Sequence, residues 1–233
     1  MSQSDAVQRL QIRFAAEGPL KYVSHLDLMR VWERVCKRAG LPLATSHGFS
    51  PRPKIALAAP LAVGATSEAE ILDVLLTERV DLTSTMSDLS DELTPGLRLL
   101  EIRESPLKQS SLQSMLQAAC YDVEIPDQRS PQEWQQAVDN LLTRDEIPWS
   151  HQRGKETKSY DLRPLILDIE VRDVSDGVAR LHMRLRNDER GAGRPEQVAL
   201  ALGASEEPTT IHRTAIELSA DSKAKAKAKA VTA

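Results

Sequence analysis

The stretch QRLQIRFAAEGPLKYVSHLDLMRVWERVCKRAGLP, residues 8–42, decides the fold because it joins a strand pattern to a helix pattern. Residues 8–14 alternate apolar and polar side chains, as a half-buried strand does, and a Gly-Pro pair ends that strand. Ser24 then has the position of a helix N-cap, and apolar residues recur at helical spacing until Gly40 and Pro42 stop the pattern. The stretch therefore predicts a strand followed by an amphipathic helix.

The next segments complete a familiar order of elements. The patterns predict a largely buried strand over 54–64, a hairpin partner over 68–76, a helix over 81–93 and a last strand over 97–104. A short extra strand is predicted at 41–45. The order strand, helix, strand, strand, helix, strand is that of a ferredoxin-like split β-α-β unit, an antiparallel sheet with both helices on one face.

The second half follows the same order, so the sequence predicts an α+β protein with two ferredoxin-like subdomains. The predicted strands are 118–126, 163–173, 178–186 and 209–218, and the predicted helices are 130–142 and 194–203. The predicted domains are an N-terminal ferredoxin-like subdomain (1–104), a linker region (105–117), a C-terminal ferredoxin-like subdomain (118–218) and a disordered Ala/Lys tail (219–233).

Composition places the chain among globular proteins. Its 233 residues are 41% hydrophobic and 27% charged, the balance of a chain that buries a core. No apolar run approaches the roughly 18 to 20 residues that cross a bilayer, and the N-terminus lacks the pattern of a secretory signal. Cys36 and Cys120 have no metal-ligand spacing, so we expect two reduced thiols. The sequence therefore predicts a cytoplasmic protein with no cofactor or metal site of its own.

Positive charge is concentrated in the N-terminal third. Between Arg9 and Lys54, nine basic residues face three acidic ones, a net charge of +6, whereas the rest of the chain carries −10. An anion that approaches this segment meets a positive local field, although the whole chain has a formal net charge of −4.

Four basic residues form one stripe of the first predicted helix, and we name this stripe the basic face. At about 100° per residue they lie opposite the apolar residues that should pack on the sheet. The alternative is an ordinary solvated helix surface, because Asp27 and Glu33 are spaced to pair with these cations. The basic face consists of Arg30, Arg34, Lys37 and Arg38.

The segment SHGFSPRPKI (46–55) follows this helix, and we name residues 46–54 the Phe49 loop. Two prolines stiffen its backbone, so Phe49 and Arg52 have little conformational entropy left to lose on binding. An aromatic ring beside cations suits stacking on an unpaired base while phosphates are neutralised nearby. The alternative is that Phe49 folds inward and plugs the sheet. The candidate binding residues of this loop are His47, Phe49, Arg52 and Lys54.

Two further segments carry weaker signals. The basic segment 151–164 predicts either a hairpin arm that grips nucleic acid or a mobile charged loop. Glycines in 187–195 precede a helix N-terminus, a setting that favours anions, but no P-loop pattern is present. We interpret His47 as a binding or structural residue rather than an acid-base group, and the sequence predicts no catalytic residue.

A long run, SHLDLMRVWERVCKRAGLPLATSHGFSPRPKIALAAPLAVGATSEAEILDV (24–74), resembles the DUF2344 family of radical SAM-linked proteins. Looser matches are DLRPLILDIEV (161–171) and the Gly-Arg-Pro-Glu segment at 193–196. The resemblance implies a companion of a radical SAM protein in its stand-alone form, with family genes often near those of ribonuclease E/G and ribosomal proteins. The chain lacks the cysteine triplet of a radical SAM cluster, so the resemblance assigns that chemistry to a separate partner chain.

These observations lead to one main hypothesis and two alternatives. The main hypothesis is a noncatalytic accessory protein of a radical SAM enzyme that binds RNA or a ribosome-related particle. The first alternative is a protein-only adaptor that docks on the radical SAM partner. The second is an RNA-processing or RNA-modifying enzyme, which rests on analogy of fold alone.

Overall fold

The computed structural model describes residues 6–153 and 156–219, and the side chains of 151–153, 156 and 158 are outside the description. The chain divides into two compact units. Among the described residues, unit 1 contains 6–116 together with 218 and 219, and unit 2 lies within Gln117–Glu217. The domain boundaries predicted from the sequence stay a prediction, and the predicted tail lies outside the described residues except for Ser219.

Unit 1 has the ferredoxin-like order of elements. Its four strands are all antiparallel to their neighbours and lie in the order β4-β1-β3-β2. This is the order expected when each helix crosses over one intervening strand. The elements are β1 (Gln8–Ala16), α1 (His25–Arg38), β2 (Ile55–Leu57), β3 (Thr66–Leu76), α2 (Leu82–Asp91), β4 (Leu97–Ser105) and the short α3 (Leu112–Met115).

The core of unit 1 forms where α1 covers the sheet. The Ser24 side chain accepts a hydrogen bond from the Asp27 N–H and so fixes the start of the helix, as the sequence predicts. About two turns later, Trp32 is fully buried and packs edge-on against Phe14 of β1, with ring centroids 4.7 Å apart. The helix position is therefore determined by a local cap and by one buried aromatic pair.

The predicted strand over 54–64 is wrong in its length. Pairing of β2 with β3 covers only Ile55–Leu57, and the next residues form bends and turns that return the chain to β3. Pro60 lacks the N–H that a longer ladder needs. The predicted strand at 41–45 is likewise reduced to two isolated bridges, Leu43 with Leu76 and Thr45 with Pro53.

The other face of the unit 1 sheet holds a buried ion pair. Arg9 of β1 and Asp73 of β3 pair through their side chains, which are 7% and 9% exposed. Arg9 also donates hydrogen bonds to the carbonyls of Gln109 (2.7 Å) and Ser110 (3.1 Å). The segment that follows β4 is thereby held against this face.

Unit 2 repeats the split β-α-β order with one insertion. Its main strands lie in the order β8-β9-β5-β11, and β10 also pairs with β9. The insertion is a two-stranded hairpin, β6-β7, between α4 and β8. The elements are β5 (Leu116–Pro126), α4 (Pro131–Leu142), β6 (Pro148–Arg153), β7 (Glu156–Asp161), β8 (Ile166–Ser175), β9 (Val178–Asp188), β10 (Gly191–Ala192), α5 (Pro195–Ala201) and β11 (Thr210–Leu218).

Side chains alternate between the two faces of the sheet along β5 and β9, so one face forms the core of unit 2 and the other is polar. Val123 and Leu181, which are opposite each other, belong to the hydrophobic core together with Trp134 of α4 and Val198 of α5. Both helices therefore cover the same side of the sheet. The predicted α+β class is confirmed.

The predicted strand over 163–173 is shifted, because Arg163–Leu165 forms a single 3₁₀ turn and β8 begins at Ile166. In the described part of the chain, no helix combines the length and apolarity that a membrane crossing requires.

Candidate nucleic-acid interface

The basic face lies on the outer side of α1. Leu28, Trp32 and Val35 are buried against the sheet, whereas all four members of the basic face are exposed. The side chains of a helix diverge by about 100° per residue, so this burial places the cations on the surface away from the core.

Two members of the basic face are already paired with carboxylates. Arg30 donates to Asp27 at 2.7 Å, and Arg38 lies 2.6 Å from Glu92, the residue that follows α2. Within the described residues, neither an ion pair nor a hydrogen bond holds the side chains of Arg34 and Lys37. These two cations are therefore the ones most available to a ligand.

The acidic partner at the start of α1 stays ionised. Hydrogen bonds from Ser24 and Arg30 lower the pKa of the Asp27 carboxyl below its usual value. The carboxylate accepts a hydrogen bond from the capping Ser24 hydroxyl and neutralises Arg30, which reduces the positive field at the first turn of α1.

The Phe49 loop is closed at its base by backbone hydrogen bonds. Ser46 N–H donates to the Arg52 carbonyl at 2.8 Å, and Arg52 N–H donates to the Ser46 hydroxyl at 3.0 Å. Below this pair, Lys54 N–H donates to the Ala44 carbonyl at 2.7 Å. Gly48 has a φ of 121°, a backbone conformation that residues other than glycine rarely adopt. The loop is a tied turn rather than an open strand.

The tip of the loop projects away from unit 1. Phe49 is fully exposed, so it does not plug the sheet, and His47 and Arg52 are exposed beside it. A fully exposed phenylalanine leaves an apolar surface in water that binding would remove. This is the most unusual side chain of the described surface.

Lys54 differs from the other candidates because it lies at the base of the loop. It is half-buried and lines a cavity of about 330 Å³ together with Arg9 and Asp73. The structure therefore places Lys54 beside the buried Arg9–Asp73 pair rather than at the tip of the loop.

The register of unit 1 brings the loop to one end of α1. β1 runs from Gln8, which is paired with Leu76 at the end of β3, and α1 returns along the sheet toward that same end. Leu43, just after α1, also bridges Leu76. The Phe49 loop therefore leaves the sheet where α1 finishes, close to Lys37.

The described strands of the unit 1 sheet carry no exposed aromatic residue on which an RNA base could stack. Some RNA-binding sheets carry exposed aromatics on their two central strands. In β1 and β3, the central strands here, the one aromatic residue is Phe14, and it is buried against Trp32. Among the described residues of unit 1, the exposed aromatics are Tyr22 and Phe49, which lie outside the strands in the segments that flank α1.

Tyr22 is a candidate that the sequence patterns did not single out. It ends a short 3₁₀ helix (Gly18–Tyr22) just before α1, and its side chain is 69% exposed. Its position in the sequence offers a signal. Tyr22 lies outside both the strand pattern and the helix pattern, so neither pattern assigns its ring to the core.

The basic segment at 151–164 contains the paired strands β6 and β7, whereas the predicted grip on nucleic acid stays a prediction. The side chains of Arg153, Lys155 and Lys158 lie outside the description. Arg163 is used structurally, because it donates to the carbonyls of Leu142, Arg144 and Ile166.

The cavity under this hairpin has the wrong charge for an anion. Trp149 and Tyr160 are cross-strand partners there, and they line the cavity of about 530 Å³ together with Glu146 and Asp161. Two carboxylates beside the aromatic pair would repel a phosphate.

The glycine segment before α5 has a packing role. A Cβ built on Gly193 would lie 2.8 Å from the Leu165 carbonyl oxygen, so only glycine allows this approach. Nearby, Arg186 is paired with Asp188 at 2.8 Å. These contacts explain the glycine without a bound anion.

The cations on the polar face of the unit 2 sheet are neutralised by neighbours. Arg184 pairs with Glu217 through two hydrogen bonds of 2.7 Å, and these bonds lower the pKa of the Glu217 carboxyl. His182 lies 2.6 Å from Asp122, its cross-strand partner. The charge of Arg184 on this face is therefore already neutralised, and the His182 ring is held by a carboxylate.

The two thiols are poor nucleophiles. Burial raises the pKa of Cys36 to about 12, and burial also raises the pKa of Cys120. A thiol with a raised pKa has little thiolate near neutral pH. Among the described residues, no group of three or more His, Cys, Asp and Glu side chains could hold a metal ion.

The family described as "Uncharacterized protein conserved in bacteria (DUF2344)" matches residues 9–195. The chain belongs to this family. The match covers α1, the Phe49 loop and most of unit 2. No curated protein has a significantly similar sequence.

Similar solved structures include a Cbf5-Nop10-Gar1 complex and an H/ACA RNP. In a Cbf5-Nop10-Gar1 complex, the matched chain is 13% identical, with 89% of this chain and 48% of that chain covered and a TM-score of 0.48. In an H/ACA RNP bound to a substrate RNA containing 2'-deoxyuridine, the matched chain is 12% identical, with 88% of this chain and 46% of that chain covered and a TM-score of 0.45. The chain thus spans about half the length of these proteins. What they bind is a property of those complexes.

Proposed function

We propose that this protein binds single-stranded RNA through the Phe49 loop and the basic face of α1, as an accessory protein of a radical SAM enzyme. The observation that carries the RNA proposal is the fully exposed Phe49, held on a tied loop beside Arg52 and at the end of α1 that carries Lys37. The radical SAM partner is supported by the family resemblance alone.

The arrangement has the two components of a sequence-tolerant single-strand site. An exposed ring stacks on any base, and unpaired cations neutralise the adjacent phosphates. Arg34 and Lys37 supply the cations, and Phe49 supplies the ring. The tied loop has already lost much of its conformational entropy, so less is lost on binding.

Replacing Phe49 by alanine tests the stacking role. We expect Phe49→Ala to weaken binding of a fluorescein-labelled RNA of about 12 nucleotides by about 1–3 kcal/mol, the range for one stacked base. Fluorescence anisotropy of the full chain at about 50 mM salt measures this loss. Phe49→Tyr keeps a ring and should bind nearly as well as the original protein.

Leu200→Ala is the matched control, because Leu200 is an exposed apolar residue of unit 2. It should bind RNA like the unaltered chain. Equal binding by Phe49→Ala and the unaltered chain would show that Phe49 does not stack on RNA, and no RNA binding by the unaltered chain at low salt would refute the proposal.

A protein-only adaptor is the second candidate, and the pairing of Arg30 and Arg38 favours it. These pairs remove two of the four charges that would attract RNA, while the exposed ring of Phe49 equally suits an apolar socket. Co-purification with the radical SAM partner that survives nuclease treatment and is lost in Phe49→Ala would support this candidate. A cytoplasmic location is expected under either candidate.

A further inference from the structure

An apolar patch lies at the opposite end of α1 from the Phe49 loop. It consists of Tyr22, Leu26 and Val63, which are 69%, 67% and 63% exposed, and we name it the Tyr22 patch. Gly64 N–H donates to the Lys21 carbonyl at 2.6 Å, so the loop that carries Val63 is tied to the chain beside Tyr22. The Lys21 ammonium lies 5.0 Å from the centroid of the Tyr22 ring.

The topology of unit 1 sets the distance between the two exposed aromatics. Tyr22 precedes the first turn of α1, whereas the Phe49 loop leaves the sheet where α1 ends. A helix of 14 residues is about 21 Å long. The two rings are therefore separated by a distance on the order of the length of α1.

The surface between the rings is mainly cationic. Leu26, Arg30, Glu33 and Lys37 follow one another along one line of α1, and Arg34 lies beside that line. The opposing carboxylates on this helix are Asp27, paired with Arg30, and the half-buried Glu33. Positive charge between two exposed rings is the pattern by which proteins follow a single strand.

We propose that Tyr22 is the second stacking residue of the RNA site and that one RNA strand lies along α1 between Tyr22 and Phe49. This inference rests on the proposed RNA binding. It adds the length of the RNA site and the residue at its second end. At the stacked spacing of about 3.4 Å per nucleotide, a strand of about six nucleotides spans the length of α1. Arg34 and Lys37, in the second half of α1, contact its backbone toward the Phe49 end.

Dependence on RNA length tests this arrangement. The full chain, Tyr22→Ala, Phe49→Ala and the double variant are titrated with labelled RNAs of about 3 and about 10 nucleotides in fluorescence anisotropy. On the longer RNA, each single variant should bind at least about fivefold more weakly, since each loses one stacked base. On the shorter RNA, which reaches one ring at a time, each single variant should lose about twofold at most. Tyr22→Phe should retain binding.

The outcomes separate this inference from the proposed function. If Phe49→Ala loses affinity for the longer RNA while Tyr22→Ala binds it like the unaltered chain, the inference is wrong and the proposed function stands. If the unaltered chain binds neither RNA at low salt, both are wrong. If Tyr22→Ala binds RNA normally but no longer co-purifies with a partner protein, the Tyr22 patch is a protein contact, which also overturns the inference.

Discussion

Replacing Arg34 and Lys37 together by alanine should weaken RNA binding roughly ten- to thirtyfold at about 0.1 M salt, because each cation neutralises one phosphate. These are the members of the basic face that carry no ion pair within the described residues. For single strands the slope of log K against log salt is negative, and each lost phosphate contact reduces its magnitude by about 0.7, so the slope should become less steep by about 1.4. Anisotropy titrations between roughly 50 and 200 mM salt measure both quantities.

The matched control for this variant removes the same charge elsewhere in unit 1. Arg79 and Arg98 are exposed and pair with Glu104 and Glu17, so Arg79→Ala with Arg98→Ala changes net charge equally. This control should keep the salt slope of the unaltered chain. An equal loss in both double variants would indicate a general effect of charge and would contradict a site on α1.

Replacing Asp73 by alanine should lower the free energy of unfolding by about 3–5 kcal/mol, because it leaves the buried guanidinium of Arg9 without its counter-charge. Both side chains of this pair are more than nine-tenths buried. Urea unfolding of the full chain followed by circular dichroism measures the loss. Asp88→Ala, on the exposed surface of α2, is the control and should change stability by about 0.5 kcal/mol or less.

A double-mutant cycle separates the ion pair from its surroundings. The double variant Arg9→Met with Asp73→Leu replaces both charges by apolar groups. Its loss of unfolding free energy should be smaller, by roughly 0.5–3 kcal/mol, than the summed losses of Arg9→Met alone and Asp73→Leu alone. Additive losses, or a loss below about 1 kcal/mol for Asp73→Ala, would contradict a strongly coupled buried pair.

Local signals in the sequence predicted the framework of unit 1 well. The cap at Ser24 and the apolar periodicity after it depend on residues within a few positions, and α1 follows both. The strand predicted over 54–64 was too long because its end depends on the return of the chain to β3 rather than on its apolar composition. Local patterns therefore gave the order of elements but not the extent of pairing.

The candidate site is predictable only in part, because the pairing and the exposure of its side chains depend on residues that are distant in the sequence. The helical spacing placed the basic face on one side of α1, but the pairing of Arg38 with Glu92 joins two helices and has no signal in either segment. The exposure of Phe49 depends on the hydrogen bonds between Ser46 and Arg52, which residue composition alone does not fix. Tyr22 lies outside both the strand pattern and the helix pattern, but the extent of its exposure is set by the fold.

Ultraviolet crosslinking of the full chain to RNA, with the adducts located by mass spectrometry, tests the central claim most directly. The RNA-binding account predicts adducts within α1, at Tyr22 or in the Phe49 loop, and it predicts that they fade as salt is raised. Adducts confined to unit 2, or none at low salt, would contradict it.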